Sequence, residues 1–371
     1  MRDGPVFLRR VTLVALCLII FLVMVFLINA IPKSAGNGEQ DEPSVSVQYT
    51  GNYISTSHVP TLISTEFPEP TIGQQTDVPT GSSNSVCSTI WGIELPTTLP
   101  EWLKTPANAE GLYTEVKYFI LAGHLISEGS VNASDCPDGG LLTNGNANTC
   151  GMEKATTQVV NWQNQFNQDI FTAAENNRIP AVVLKRLFAQ ETQFWPPNSS
   201  NPPAYGIGAV TSPGIEPLFK WDDYTNVFQN TCRELFSPQS CRTLSYSSLS
   251  LNDQQMLRGF FIKNYIHSYC DSCTKYHIDL DKTRRSIDYF AKLMVASCAQ
   301  INESVRKRFS MKTLPYETAW RLALVEYAVG TNCIDDRIAH MDVSKSFSWD
   351  YFNEGLGPGC SADIYLSAIT R

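Results

Sequence analysis

The placement of its eleven cysteines constrains this chain more than any other feature. One, Cys17, sits alone inside an apolar run from Val11 to Ile31. The other ten, Cys87, Cys136, Cys150, Cys232, Cys241, Cys270, Cys273, Cys298, Cys333 and Cys360, all follow a long cysteine-free stretch. An even number of thiols at that density points to disulfides and an oxidising compartment. The apolar run has about the twenty residues a helix needs to span a bilayer. Arg2, Arg9 and Arg10 precede it, and only Lys33 follows before Lys104. By the positive-inside rule, residues 1–10 form a cytoplasmic tail, residues 11–31 a transmembrane signal anchor, and the rest of a single-pass chain lies outside the cell membrane. The competing reading is a secreted product of signal cleavage near Ala30. A run longer than the roughly 7–15 residues of a secretory apolar core favours the anchor.

Residues 32–86 are rich in Ser, Thr, Pro, Gly and Gln, with scattered acids and Lys33 as their one base. Such a segment buries too little apolar surface to fold, and its prolines stiffen it, so it reads as a disordered stalk carrying the domain 87–371. The whole chain holds 36 acidic against 28 basic residues, a net charge of -8, which argues against a nucleic-acid partner.

Within 87–371 the apolar spacing is mostly helical. It predicts one helix over 152–174 (Val159, Trp162, Phe166, Ile170, Ala173) and another over 114–126. A third opens at Pro180 as first helical residue, and further helices follow over 257–269, 286–298 and 316–328. Strand-like alternation is scarce. The expected fold is therefore mainly α, with long disulfide-stapled loops such as 132–151 and 196–223.

Glu191 breaks the apolar stripe of the helix that opens at Pro180. At 100° per residue it lies about 20° from Leu184 and 40° from Leu187, so a carboxyl takes the next core-facing position. Desolvation there raises a carboxyl's pKa, as a general acid requires. The alternative is a helix-end Glu that bends out to solvent. Phe194 and Trp195 follow, offering flat surface of the kind sugars stack on.

The segment Ala181 to Phe194, AVVLKRLFAQETQF, resembles the catalytic helix of the lysozyme-like soluble lytic transglycosylase family (the goose-lysozyme-like group), whose pattern runs A-Q-E-S-x-F. Downstream, Tyr205-Gly206-Ile207-Gly208-Ala209-Val210-Thr211 is similar to the family's substrate-groove turn. Leu322 to Gly330, LALVEYAVG, is similar to its A-L-A-A-Y-N-A-G helix end, so the matching motifs span 181–330. The resemblance implies a bacterial enzyme that cleaves the MurNAc-GlcNAc β-1,4 bond of a peptidoglycan glycan strand. Glu191 would be its single catalytic acid and base, Tyr327 would point at that acid, and the product would carry a 1,6-anhydro ring. It also implies substrate contacts from Thr192, Tyr205, Gly206, Ile207, Gly208, Val210 and Gly330, with no cofactor and no metal. Two departures bear on turnover. Ala209 stands where the family has Gln and Ala328 where it has Asn, and alanine offers neither donor nor acceptor. A catalytically impaired glycan-binding or structural wall-associated relative is therefore the alternative. A hydrolytic lysozyme is a further one, with Glu216, Asp222 or Asp223 as the second carboxylate.

His267, Cys270, Cys273 and His277 have the residue types and rough spacing of a zinc site, but in an oxidising compartment a Cys270–Cys273 disulfide is the simpler reading. Proximity further pairs Cys136 with Cys150, Cys232 with Cys241 and Cys333 with Cys360, leaving Cys87 for Cys298 by elimination. This is one scheme among the many that spacing leaves open.

Overall fold

The computed structural model describes residues 85–371 apart from 199, 271, 274, 275 and 310–313. The cytoplasmic tail, the anchor and nearly all of the stalk lie outside the described residues. Val86, expected as the last stalk residue, instead opens a helix and is buried.

The described chain is mainly helical. In order come α1 Val86–Trp91, α2 Phe119–Ser127, α3 Thr149–Asn164, α4 Asn167–Asn177 and α5 Ala181–Thr192. The strands β1 Ala204–Tyr205 and β2 Val210–Thr211 form the one sheet among the described residues, an antiparallel pair with Tyr205 opposite Val210. The short helices α6 Glu216–Lys220, α7 Asp222–Thr225, α8 Val227–Leu235 and α9 Pro238–Cys241 follow. Then come α10 Leu251–Phe261, α11 Leu280–Arg308, α12 Tyr316–Val329, α13 Thr331–His340, α14 Trp349–Asn353 and α15 Asp363–Thr370. Among the described residues no helix is long and apolar enough to cross a membrane.

The long helix α11 is the axis, touching α1, α4, α6, α12 and α13. It is buried on every side from Leu293 to Ala299, and α12 is buried on every side from Leu322 to Val329. A helix that is apolar all round belongs at the centre of a bundle, and these two carry the core past the candidate site.

Three expectations are corrected here. The helix predicted over 152–174 is two helices, α3 and α4, separated at Gln165 and Phe166. The break has a tertiary cause. The buried Lys185 ammonium donates to the Gln163 carbonyl, which a continuous helix would offer to Asn167, and to Asn167 Oδ1 at 2.5 Å. The segment at 114–118 is extended rather than helical, because Asn164 and Gln163 take its backbone groups. Thr114 N–H donates to Asn164 Oδ1 at 3.0 Å and Gln163 Nε2 to the Val116 carbonyl at 3.0 Å. Pro180 caps α5 from outside instead of opening it; Thr105 Oγ1 accepts the Ala181 N–H at 3.1 Å in its place.

Five disulfides join Cys87 to Cys298, Cys136 to Cys150, Cys232 to Cys241, Cys270 to Cys273 and Cys333 to Cys360. Cys136–Cys150 staples the 132–151 loop. The 196–223 loop holds no cysteine and is organised by its hairpin and α6.

Candidate functional site

The site forms where the end of α5, the β1–β2 hairpin and α12 converge. Immediately after Glu191, Thr192 Oγ1 donates to the Ile207 carbonyl at 2.7 Å, tying the end of α5 to the hairpin turn. On the other side of that turn Tyr327 of α12 donates its hydroxyl to the Gly208 carbonyl. The turn needs its glycines. Gly206 has φ +69°, and a Cβ at Gly208 would lie 2.4 Å from the Phe290 ring and 2.7 Å from the Tyr327 hydroxyl. Phe290 projects from α11 and packs edge-on against Phe188 of α5 at 5.4 Å, so one ring sets the height of both the turn and the helix.

A pocket lies among these elements, lined by Glu191, Ala209, Val210, Thr211, Gly214, Leu293, Ser297, Glu326, Tyr327 and Ala328. Glu191 Oε1 is sealed from solvent and completes no hydrogen bond. Burial, weakly opposed by the Tyr365 hydroxyl, pushes the Glu191 carboxyl up to about 8, so it stays protonated at neutral pH. Tyr327 is held far above the ordinary phenol range by burial and by the charges of Glu191 and Glu326. Tyr365, from α15, faces the Glu191 carboxyl with its own hydroxyl buried and free of any well-formed hydrogen bond. It reaches the site because α15 packs on α5 and α12, and because Arg186 of α5 donates to the Ile369 carbonyl at 2.7 Å. The Cys333–Cys360 bridge ties the segment leading into α15 to α13.

The residues singled out from sequence divide three ways. Glu191, Val210 and Tyr327 meet on the pocket wall, together with both alanines at positions 209 and 328. Thr192, Gly206 and Gly208 shape the turn, and half-buried Tyr205 packs against the His267 ring at 5.9 Å. The others are corrections. Phe194 and Trp195 are 0% and 3% exposed, so neither offers a face to a sugar. Gln193 and Phe194 both adopt left-handed φ, which turns the chain inward after α5. Trp162 then donates to the Phe194 carbonyl at 2.9 Å, while Trp195 stacks on His124 at 5.0 Å. Ile207 is fully buried core, and Gly330, at φ +82°, is the joint between α12 and α13.

None of the three acids considered as a second carboxylate lines the pocket. Glu216 pairs with Lys220 at 2.8 Å and Arg258 at 3.7 Å, and Asp222 accepts the Phe228 N–H at 2.6 Å at the start of α8. Asp223 is exposed. The carboxyl that does line it is Glu326, 3% exposed and raised by burial against the hydrogen bonding around it. The signal was a lone charge in the otherwise apolar stretch LALVEYAV. Tyr365 left no sequence signal, because only the docking of α15 brings it to Glu191. With Cys270 and Cys273 bonded to each other, their sulfurs are not thiolate ligands, and among the described residues no His, Cys, Asp and Glu cluster could hold a metal ion.

Compared with protein-family models, curated proteins and solved structures, the chain matches none.

Proposed function

We propose that this chain is a glycosidase of the lysozyme-like lytic transglycosylase kind, anchored by residues 11–31 and acting outside the cell membrane on the MurNAc-GlcNAc bond of peptidoglycan. One observation carries the reading. A carboxyl protonated at neutral pH, with one oxygen unpartnered, lies at a pocket between two buried phenols, and the pocket is built by the three segments whose motifs resemble that family. A group held so is an acid waiting for an acceptor.

In the mechanism, Glu191 gives its proton to the glycosidic oxygen as the bond from that oxygen to the muramoyl anomeric carbon breaks. The substrate's own acetamido oxygen supports the electron-poor carbon. The Glu191 carboxylate then takes the proton from the muramoyl 6-hydroxyl, whose oxygen bonds to the anomeric carbon and closes the 1,6-anhydro ring. Proton and bond counts balance with no water consumed. Tyr327, its hydroxyl committed to Gly208, holds the turn at a fixed distance from the acid.

Ala209 and Ala328 favour a second reading, an impaired relative that binds glycan without turning it over, since both face the pocket where an amide would hold substrate. Digestion of purified peptidoglycan by the full chain in detergent, read by mass spectrometry, decides between the two. Anhydro-muropeptides from the wild type and none from Glu191→Gln support catalysis. Glycan retention with no product from either chain supports binding alone.

A further inference from the structure

The mechanism above leaves Glu326 idle, although it faces the same pocket as Glu191 from the neighbouring helix. The carboxyl is held by a chain of donors. Thr331 Oγ1 donates to Glu326 Oε1 at 3.1 Å, Gln300 Nε2 to Thr331 Oγ1 at 2.9 Å, and Trp221 Nε1 to Gln300 Oε1 at 3.3 Å. That chain runs from α13 through α11 to the start of α7. It fixes the carboxyl's orientation toward the pocket, and its donors work against the burial that on balance raises this carboxyl, a poise that suits a group taking up a proton. Ser297 supplies the independent sign of a ligand. It is fully buried on the pocket wall, faces the Glu326 carboxyl, and its hydroxyl makes no hydrogen bond of good geometry. A side-chain hydroxyl left in that position is matched to a small polar guest, and water is the smallest. Ala209 and Ala328 leave space beside it that larger amides would fill.

We propose that Glu326 is a second catalytic carboxyl that draws a proton from a pocket water, so that the chain also releases a hydrolysed reducing end. The inference rests on the glycosidase reading. In the step, Glu191 protonates the glycosidic oxygen and its bond to the anomeric carbon breaks. The water oxygen bonds to that carbon, and the water's proton passes to Glu326. Glu191 leaves the cycle deprotonated and Glu326 protonated, and exchange with solvent restores both, so one water is consumed per bond. The Glu191 acid thus serves two acceptors of the anomeric carbon, the sugar's own 6-hydroxyl and the water held by Glu326 and Ser297.

The test is digestion of peptidoglycan by the full chain in 18O water. The expected wild-type result is a mixture of unlabelled anhydro ends and reducing ends carrying one 18O. Glu326→Gln keeps the shape of the side chain and should lower the labelled ends at least tenfold while anhydro ends persist. In Glu326→Ala, added azide needs no proton removed and should appear as a glycosyl azide, an outcome that a purely structural role for Glu326 does not produce. Anhydro ends alone from the wild type, or unchanged labelling in Glu326→Gln, overturn the role of Glu326 and leave the lytic reading standing. No cleavage by the wild type overturns both.

Discussion

Replacing Glu191 by Gln should make the fold more stable, and increasingly so as pH rises. The wild-type carboxyl titrates near 8 in the folded chain against 4.5 when exposed. Between those values the folded chain binds a proton that the unfolded chain has released. Folding stability therefore falls as pH rises from 4.5 and levels off once pH passes the folded value. Linkage puts the accumulated loss at about 1 kcal/mol at pH 5, about 3 kcal/mol at pH 7 and nearly 5 kcal/mol at pH 9. Glutamine is nearly isosteric and does not titrate, so the variant escapes this loss. Denaturant unfolding of both full chains in the same detergent, followed by tryptophan fluorescence at pH 5, 7 and 9, isolates the effect, because every other titrating group cancels in the difference. The variant's advantage should grow by about 2 to 3 kcal/mol from pH 5 to pH 7. An advantage that stays flat across that range would refute the claim that desolvation governs this carboxyl, and with it the assignment of Glu191 as an acid charged with a proton at neutral pH.

Tyr365→Phe removes the hydroxyl facing Glu191 and should move the high-pH limb of the cleavage profile upward by a few tenths of a unit to about one unit, read from initial rates across pH 6 to 10. Gly208→Ala drives a methyl into Phe290 and the Tyr327 hydroxyl, and should cost about 2 to 4 kcal/mol in denaturant unfolding as well as most activity. Ala209→Gln returns a donor and an acceptor to the pocket wall. Its kcat/KM on muropeptides should rise by about tenfold, equivalent to about 1.4 kcal/mol.

What could be read without a structure followed how local the determinants are. The helical character and the core of α12 were legible because apolar periodicity is written residue by residue into Trp320, Ala323, Leu324 and Tyr327. The inward place of Glu191 was legible from its angle to Leu184. The division of α3 from α4 was not, since the group that ends α3 is an ammonium on α5. The burial of Phe194 and Trp195 is not legible for a related reason. Aromatics that follow a helix look exposed until two left-handed residues, which any sequence rule disfavours, fold them back beneath Trp162. Glu326 stands in plain view, a charge flanked by Val325 and Tyr327 on an apolar helix, and raises the same question as Glu191. Tyr365 and Glu191 meet only once the chain has closed, so no local pattern announces the pair.

The Cys87–Cys298 bridge has a mechanical consequence. It joins the second residue of α1 to the fully buried middle of α11, across 211 positions of sequence. A tug applied to the chain ahead of Cys87 therefore does not peel α1 away as the first strip of a zipper. The load passes through two sulfur atoms into the axis of the bundle, where it must shear α11 against α4 and α12 together. The intervening segments, among them the α5 end and the β1–β2 hairpin of the pocket, lie inside a closed covalent ring that carries none of that tension until the axis itself yields, while α12 follows the ring.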